Sequence, residues 1–336
     1  MTTGTTERTS ATSLTQKGGG RNADRAFWLV SLLAGLLVLA ILALILLTTL
    51  REALPALRYA GLGFITDPTW IPNDQDGNGP LGPVFGALSF IYGTIVVSLI
   101  SLAFAVPVSL GIALFLTELA PTRIRGLVVG ILDLLAAVPS VVFGLWGIIV
   151  LGPALFKVYA WLHDVFGGVP VLGSLFGEPV SSGRVFMTAG IIVAIMIIPI
   201  VTSVTREVFA TVPTADKQAA YALGATRWEM IKGAVFPHSF GGMVGAIILG
   251  LGRAMGETIA VALTVGAATQ ITPNLFASGN TLAAVIAQNW GDPGVPPGRS
   301  ALIACGVVLF AITILVNYAA RIVVHRAELR LKGVVA

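Results

Sequence analysis

Residues 218–237 read QAAYALGATRWEMIKGAVFP, and they look like two short helices joined by a glycine within a strongly apolar chain. Pro213 suits the first turn of a helix, and Gly224 suits the left-handed position just after a helix ends. Thr226, with Glu229 three residues later, forms the capping-box pattern that begins a second helix. We therefore predict a sharply turned helical hairpin between two membrane-length apolar runs.

The two arms of this hairpin are amphipathic. One face of each arm collects small, apolar or aromatic side chains, and the charged side chains are available to water: Ala219, Ala220 and Leu223, then Trp228, Ile231 and Val235, with Asp216, Lys217, Arg227 and Lys232 on the wet side. Two interpretations follow from this pattern. The hairpin either lies on the membrane surface and only connects two spans, or it is a docking element for a soluble partner.

Composition indicates an all-α integral membrane protein. Hydrophobic residues make up 56% of the 336 residues and charged residues 11%, compared with about 25% in soluble domains. The net charge of +4 is spread thinly without a basic stripe, which argues against nucleic acid as a partner. The single cysteine, Cys305, and three widely separated histidines offer no metal-ligand spacing. We expect no metal, no cofactor and no catalytic residues.

Six apolar runs are long enough to cross a membrane, which takes roughly 20 residues. They cover approximately 26–50, 88–117, 127–151, 185–205, 239–266 and 300–320. The first run follows Lys17, Arg21 and Arg25, a basic flank that is also typical of a signal peptide. Because the run exceeds the usual signal length and no clear small-residue cleavage site follows, we interpret it as an uncleaved anchor.

The distribution of basic residues predicts the orientation of these spans. With the N-terminus inside, the cytoplasmic side carries most of the Lys and Arg: Arg8, Lys17, Arg21, Arg25, Arg123, Arg125, Arg206, Lys217, Arg227, Lys232, Arg321, Arg326, Arg330 and Lys332. Arg51, Arg58, Lys157, Arg184 and Arg299 fall outside. This orientation puts both termini and the hairpin in the cytoplasm.

The expected organisation follows from the same runs. We expect a disordered cytoplasmic tail at 1–25, an anchor helix at 26–50, an extracytoplasmic loop at 51–87, a five-helix transmembrane domain at 88–322 containing the hairpin loop 207–238, and a cytoplasmic tail at 323–336.

In the outer loop, Asp74, Asp76, Asn78 and Gly79 match the start of an EF-hand calcium loop. Phe85 stands where the bidentate Glu belongs, so a plain polar turn is favoured over a calcium site.

Two charges lie within the fifth run, LGLGRAMGETIAVALTVG. Arg253 and Glu257 are four residues apart, which predicts one helical face, and charges at this depth cost roughly 3 kcal/mol each. They could form a mutual ion pair, with Gly252 and Gly256 drawing a neighbouring helix close. Alternatively they form an anion site, since the guanidinium fork matches phosphate or carboxylate oxygens and Glu257 could orient it or, when protonated, donate to a ligand oxygen.

The hairpin resembles the EAA loop of type I ABC importer permeases. Ala219, Ala220, Gly224 and Pro237 fall in register with that loop, whereas Gln218, Ala234 and Phe236 replace its Glu, Ile and Leu. The resemblance implies a permease fold with a cytoplasmic coupling helix that docks on an ATP-binding subunit through Gln218, Ala219, Ala220, Gly224, Ala225, Thr226, Arg227, Trp228 and Pro237. No lysine follows a glycine, so a Walker A motif cannot be written, and we expect ATP hydrolysis on a separate subunit.

Four motifs together give a narrower resemblance. FGALSFIYGT, AAVPSVVFGLWG, QAAYALGATRWE and GLGRAMGET are similar to the C-type permeases of high-affinity phosphate importers. This likeness implies that Arg253 and Glu257 belong to a phosphate passage in the cytoplasmic membrane of a prokaryote. It also implies three partners: a homologous A-type permease, a dimer of ATP-binding subunits and an extracytoplasmic phosphate-binding protein. The alternatives are the same machine with another cargo, such as sulfate, molybdate or an amino acid, and a secondary transporter driven by an ion gradient.

Overall fold

The computed structural model describes residues 21–72, 83–294 and 297–333. Most of the tail predicted at 1–25, the calcium-like segment 74–79 and the last residues of the predicted C-terminal tail lie outside the described residues. The part up to Arg51 forms one compact unit and the part from Glu52 onward a second. In the first unit a single helix carries exposed apolar side chains such as Leu33, Leu37 and Leu44.

The described chain is predominantly helical. In order, the helices are α1 (Arg21–Ala60), α2 (Gly63–Thr66), α3 (Leu88–Leu114), α4 (Thr122–Ala137), α5 (Ser140–Trp146), α6 (Gly152–Phe166), α7 (Leu172–Leu175), α8 (Phe186–Ala210), α9 (Thr214–Ala222), α10 (Arg227–Met230), α11 (Phe236–Gly256), α12 (Ile259–Thr264), α13 (Leu282–Asn289) and α14 (Gly298–Gly333). Three π-helical turns, Phe115–Leu119, Gly147–Leu151 and Ile231–Val235, continue α3, α5 and α10. Strands β1 (Trp70–Ile71) and β2 (Val84–Phe85) form a small antiparallel pair.

Six helices in the described ranges are long and apolar enough to span a membrane, as the sequence predicts. They are Asp24–Ala60, Leu88–Leu119, Ser140–Phe166, Phe186–Ala210, Arg227–Gly256 and Gly298–Ile322. Their most apolar windows have mean hydropathies between 1.6 and 3.1. The prediction of an all-α, six-helix membrane protein is therefore confirmed.

The third span does not lie where the sequence predicts it. The apolar run 127–151 is divided between α4, which has 16 residues, and the spanning helix Ser140–Phe166. Val138 and Pro139 are extended, with ψ of 128° and 141°, so the helix breaks between them. Proline lacks an N–H group and disfavours helical backbone at the preceding residue. Hydropathy alone cannot detect this break, because both sides of it are equally apolar.

The fifth span also differs from the prediction of one helix over 239–266. It begins inside the hairpin at Arg227 and ends at Gly256, so the second hairpin arm and the span are one continuous helix. Glu257 is extended, with φ −68° and ψ 127°, and α12 begins two residues later. Ala260 N–H donates to Glu257 Oε1 at 3.4 Å, so this carboxylate caps the first turn of α12.

Helix α8 lies at the centre of the second unit. Its residues Ala189, Val193 and Ile197 are buried against Val97 and Ile100 of α3. This packing holds α3 and α8 side by side, and α8 ends just before the hairpin. The core therefore joins the hairpin region to the membrane-spanning helices.

Candidate functional site

The turn of the hairpin has the predicted geometry. Helix α9 follows Pro213, which is the residue before the first helical one and so lies one position earlier than predicted. Gly224 has φ +83°, a left-handed conformation that glycine adopts without the steric cost of a Cβ. Its N–H donates to the Tyr221 carbonyl at 2.9 Å, and Ala225 N–H donates to the Ala220 carbonyl at 3.1 Å. These bonds satisfy carbonyls at the end of α9.

The predicted capping box at the start of α10 is confirmed. Thr226 N–H donates to Glu229 Oε2 at 2.7 Å, and the Thr226 hydroxyl donates to the same oxygen at 2.8 Å. Glu229 N–H donates back to Thr226 Oγ1 at 3.3 Å. The box satisfies backbone donors that have no partner within the helix. The direction in which the second arm leaves the turn is therefore set by local hydrogen bonds.

Large apolar side chains are exposed on the hairpin. Leu223 is 90% exposed, Trp228 53% and Tyr221 45%. A groove of about 620 Å³ lies between the two arms and is lined by residues that include Ala219, Leu223 and Glu229. An exposed apolar and aromatic patch of this kind is typical of a protein interaction surface.

The two faces of the second arm differ from the prediction. The sequence groups Trp228 with Ile231 and Val235, but only Trp228 is exposed. Ile231 and Val235 are buried in a cluster with Phe209 and Ala113. The π-helical turn Ile231–Val235 shifts the side chains that follow Trp228 away from simple α-helical spacing. The arm therefore exposes the aromatic side chain of Trp228 and packs against α3 and α8 through Ile231 and Val235.

An ion pair that the sequence does not suggest ties the hairpin to the second span. Lys217 Nζ lies 2.5 Å from Glu118 Oε1. Lys217 is on α9 and Glu118 is in the π-helical turn that ends the second span, 99 residues apart. No local pattern could reveal this contact, because it depends on how α3 and the hairpin pack.

The structure describes every predicted coupling residue. Most are exposed on the hairpin, while two are partly buried beneath it: Gln218, Ala219, Gly224, Thr226, Arg227, Trp228 and Pro237 are exposed, and Ala220 and Ala225 are intermediate. Pro237 is the second residue of α11, which follows the π-helical turn. The predicted set thus lies mainly on the exposed side of α9 and of the turn up to Trp228, with Pro237 exposed farther along the same helix.

Arg253 and Glu257 line one cavity of about 780 Å³, but they are not arranged as predicted. Arg253 is in the last turn of α11, whereas Glu257 lies beyond the helix end, so the two do not share a helical face. Among the residues that the structure describes, the only side-chain ion pair is the one between Lys217 and Glu118. Of the two alternatives, the mutual ion pair is therefore not found, and both residues line the cavity.

The glycines around Arg253 provide space and do not draw a helix close. A Cβ at Gly256 would meet nothing within 4 Å, and one at Gly252 would first meet Asn317 Nδ2 at 3.8 Å. Both glycines line the cavity. The small-residue pattern here keeps the cavity open, contrary to the close helix approach that we expected.

Two further polar residues line this cavity: the sequence predicts Arg321 only as one of the charges on the cytoplasmic side, and Asn317 is not predicted to have a role. Asn317 and Arg321 of α14 line it opposite α11. The Asn317 Oδ1 atom is buried and has no hydrogen-bond partner within the described chain. Their spacing of four residues puts both on one face of α14, a signal that was readable beforehand. With Arg253, Arg321 and Glu257, the cavity carries two positive charges and one negative charge, which suits an oxyanion.

Comparison with known proteins places the chain in a family. Residues 105–329 match the family described as binding-protein-dependent transport system inner membrane component. The chain is 41% identical over 319 residues to the phosphate transport system permease protein PstC of Xylella fastidiosa, covering 93% of this chain and 95% of that protein. The PstC protein of Mesorhizobium japonicum is 38% identical, with 91% of each chain covered.

A solved structure supports the fold. The match is a chain of the bacterial alginate ABC transporter, crystallised in complex with an alginate pentasaccharide-bound periplasmic protein. The TM-score is 0.55 at 15% sequence identity, covering 92% of this chain and 98% of that chain. The fold is therefore that of an ABC importer permease. On these matches, the chain belongs to the binding-protein-dependent transport system inner membrane components and, within them, to the PstC permeases.

Proposed function

We propose that this chain is the permease subunit of an ATP-driven, binding-protein-dependent importer that carries inorganic phosphate across the cytoplasmic membrane of a prokaryote. Its partners are a homologous A-type permease, a dimer of ATP-binding subunits and an extracytoplasmic phosphate-binding protein. Both termini and the hairpin lie in the cytoplasm, in keeping with the distribution of Lys and Arg. The names of the PstC relatives support phosphate as the cargo.

The observation that carries this proposal is the position of Arg253 in a polar cavity at the end of the fifth span. Its guanidinium group presents a planar fork that matches two phosphate oxygens. Arg321 adds a second positive charge to the same cavity. Glu257 offsets part of that positive charge, so the anion is bound weakly enough to be released onward.

The hairpin supplies the route by which ATP-driven motion reaches the cavity. Arg227 to Gly256 form one continuous helix, so Trp228 and Arg253 are on the same rod, about 38 Å apart along its axis. An ATP-binding subunit that grips the exposed Leu223 and Trp228 displaces this rod when it closes. The exposed coupling residues, including Gln218, Ala219 and Arg227, surround that grip. Alternating access to the cavity follows from this displacement.

Phosphate uptake in a strain that lacks this chain tests the proposal. Plasmid-borne wild-type chain should restore uptake of radiolabelled phosphate, and Arg253→Ala should reduce it to the level of the deletion. Arg299→Ala is the matched control, because Arg299 is exposed and does not line the cavity. Restored uptake that excess sulfate, molybdate or amino acids abolish would assign another cargo, and undiminished uptake in the deletion strain would overturn the proposal.

A further inference from the structure

A second, larger cavity lies on the far side of the protein from the hairpin. It has a volume of about 850 Å³, and Trp70, Arg184, Leu263 and Gln288 are among its lining residues. Arg184 comes two residues before α8, whose 25 residues end just before the hairpin. A helix of that length is about 37 Å long, so the cavity and the hairpin are at opposite ends of the spans.

Two donors in this cavity are buried and unpaired. Arg184 Nε and Trp70 Nε1 have no hydrogen-bond partner among the described residues. Arginine and the tryptophan indole can donate hydrogen bonds but cannot accept them. Burying a donor without an acceptor is costly, so both groups favour a ligand rich in acceptor oxygens. None of the described lining residues is an Asp or a Glu, so no carboxylate of the cavity competes for Arg184.

Neighbouring polar side chains of the cavity wall are already fixed. Asn280 Nδ2 donates to Gln288 Oε1 at 2.8 Å. Gln288 Nε2 donates to the carbonyls of Ala262 and Gly266 at 3.0 and 3.1 Å. These bonds join α13 to α12 and the segment after it. The amide groups of Asn280 and Gln288 are therefore already engaged within the wall, whereas Arg184 Nε and Trp70 Nε1 are left for a ligand.

The break at Glu257 separates this cavity from the one that holds Arg253. Gly256 and Glu257 line the cavity that holds Arg253, here called the inner cavity. Ile259, the first residue of α12, lines the cavity that holds Arg184, here called the outer cavity. Only Thr258 stands between them in the chain. A change in backbone at this break would open one cavity toward the other, because the wall between them is not a continuous helix.

We propose that Arg184 and Trp70 form an outer phosphate-binding site, from which the ion passes to Arg253 across the Glu257 break. The inference rests on the proposed function, since it assigns a second phosphate-binding site on the same translocation pathway. The ligand is a tetrahedral oxyanion whose oxygens accept from the Arg184 guanidinium and the Trp70 indole N–H. The oxyanion would supply the acceptors that these two donors lack among the described residues.

The test uses the complete complex in proteoliposomes, with radiolabelled phosphate at a concentration below saturation. Arg184→Gln should lower the initial rate of uptake about tenfold, the effect of losing a charge-assisted hydrogen bond, and Trp70→Phe should lower it severalfold. Arg299→Gln removes an exposed charge from the same end of the protein and should change the rate less than twofold. ATP hydrolysis stimulated by the binding protein should persist in all three variants, which shows that the complex assembles.

A labelling experiment gives a readout that a purely structural role would not move. Arg184→Cys is made in a Cys305→Ala background and treated from outside with a cationic methanethiosulfonate. We expect labelling to restore part of the uptake because it returns a positive charge, and phosphate, but not chloride, to slow the labelling. If the wild-type complex imports phosphate and Arg184→Gln imports it at the same rate, the outer site is overturned but the proposed function is not. Labelling of Arg184→Cys that phosphate does not slow would have the same consequence. A wild-type complex that imports no phosphate would overturn the proposed function as well.

Discussion

Lys217 Nζ and Glu118 Oε1 lie 2.5 Å apart and join the first arm of the hairpin to the end of the second span. The side chains are only 20% and 9% exposed, so solvent screens this pair less than it would a surface pair. The second arm is already continuous with the fifth span. The chain thus joins the hairpin to the fourth and fifth spans, and the charge pair, together with the packing of Ile231 and Val235 against Ala113, joins it to the second.

Breaking this charge pair should impair the link between the hairpin and the second span. Lys217→Gln or Glu118→Gln leaves one partly buried charge unpaired, a loss of about 1 kcal/mol. We predict fewer phosphate ions imported per ATP hydrolysed, measured in proteoliposomes that contain the full complex. The reversed pair, Glu118→Lys with Lys217→Glu, should recover much of that ratio. If the single variants import as many phosphate ions per ATP as the wild type, the ion pair does not couple the hairpin to the second span.

The turn at Gly224 should tolerate only residues that accept a left-handed backbone. A Cβ at Gly224 meets nothing within 4 Å, so Gly224→Ala tests the positive φ alone, at a cost of about 1 kcal/mol. Co-purification of the ATP-binding subunit should fall, and Gly224→Asn should be milder. Gly111→Ala is the matched control, since Gly111 is also in open space but lies in the helical backbone of α3, away from the hairpin. Equal losses in Gly224→Ala and Gly111→Ala would contradict this account of the turn.

The capping box should contribute measurably to hairpin stability. Thr226→Ala removes the acceptor for Glu229 N–H and should cost about 1 kcal/mol. Thr226→Ser keeps the hydroxyl and should behave like wild type. Hydrogen exchange of the α10 amides in the purified complex would measure the difference, with faster exchange expected only in Thr226→Ala. Identical exchange in the two variants would mean that packing, and not the cap, holds this arm.

Gly93 should be indispensable because another backbone passes against it. A Cβ there would overlap the Asn280 carbonyl oxygen, and this backbone atom cannot rotate away as a flexible side chain could. We predict that Gly93→Ala destabilises the protein by several kcal/mol, as overpacking does when the backbone must shift. Gly111→Ala in the same helix meets open space and should be neutral. Thermal unfolding in detergent would compare them, and similar midpoints would contradict the packing described here.

Much of the architecture could be predicted because its signals are local. Span number follows from the length of apolar runs, and the hairpin turn follows from Gly224, Thr226 and Glu229, whose preferences act over a few residues. Span boundaries within apolar segments are not predicted by hydropathy, since Pro139 and Glu257 interrupt helices without interrupting the apolar run.

The polar contacts were harder to predict because they join distant segments. Lys217 and Glu118 meet only after α3 and the hairpin have packed, and Asn317 reaches Gly252 only through the pairing of α14 with α11. Arg253 was identified because a charge inside an apolar span is costly wherever the fold places it. The sequence indicates only that Arg184 is a charge outside the membrane, because the cavity that it lines is formed by distant elements that include β1, α12 and α13.

The central claim is that an ATP-powered partner grips the hairpin and works the fifth span. The most direct measurement is phosphate uptake by proteoliposomes that contain the complete complex, with and without internal ATP, for the wild-type chain and for Leu223→Glu, which places a charge at the most exposed apolar position of the hairpin. We predict uptake that requires ATP in the wild type and is lost in Leu223→Glu. Uptake that continues without ATP, or that Leu223→Glu leaves undiminished, would contradict the claim.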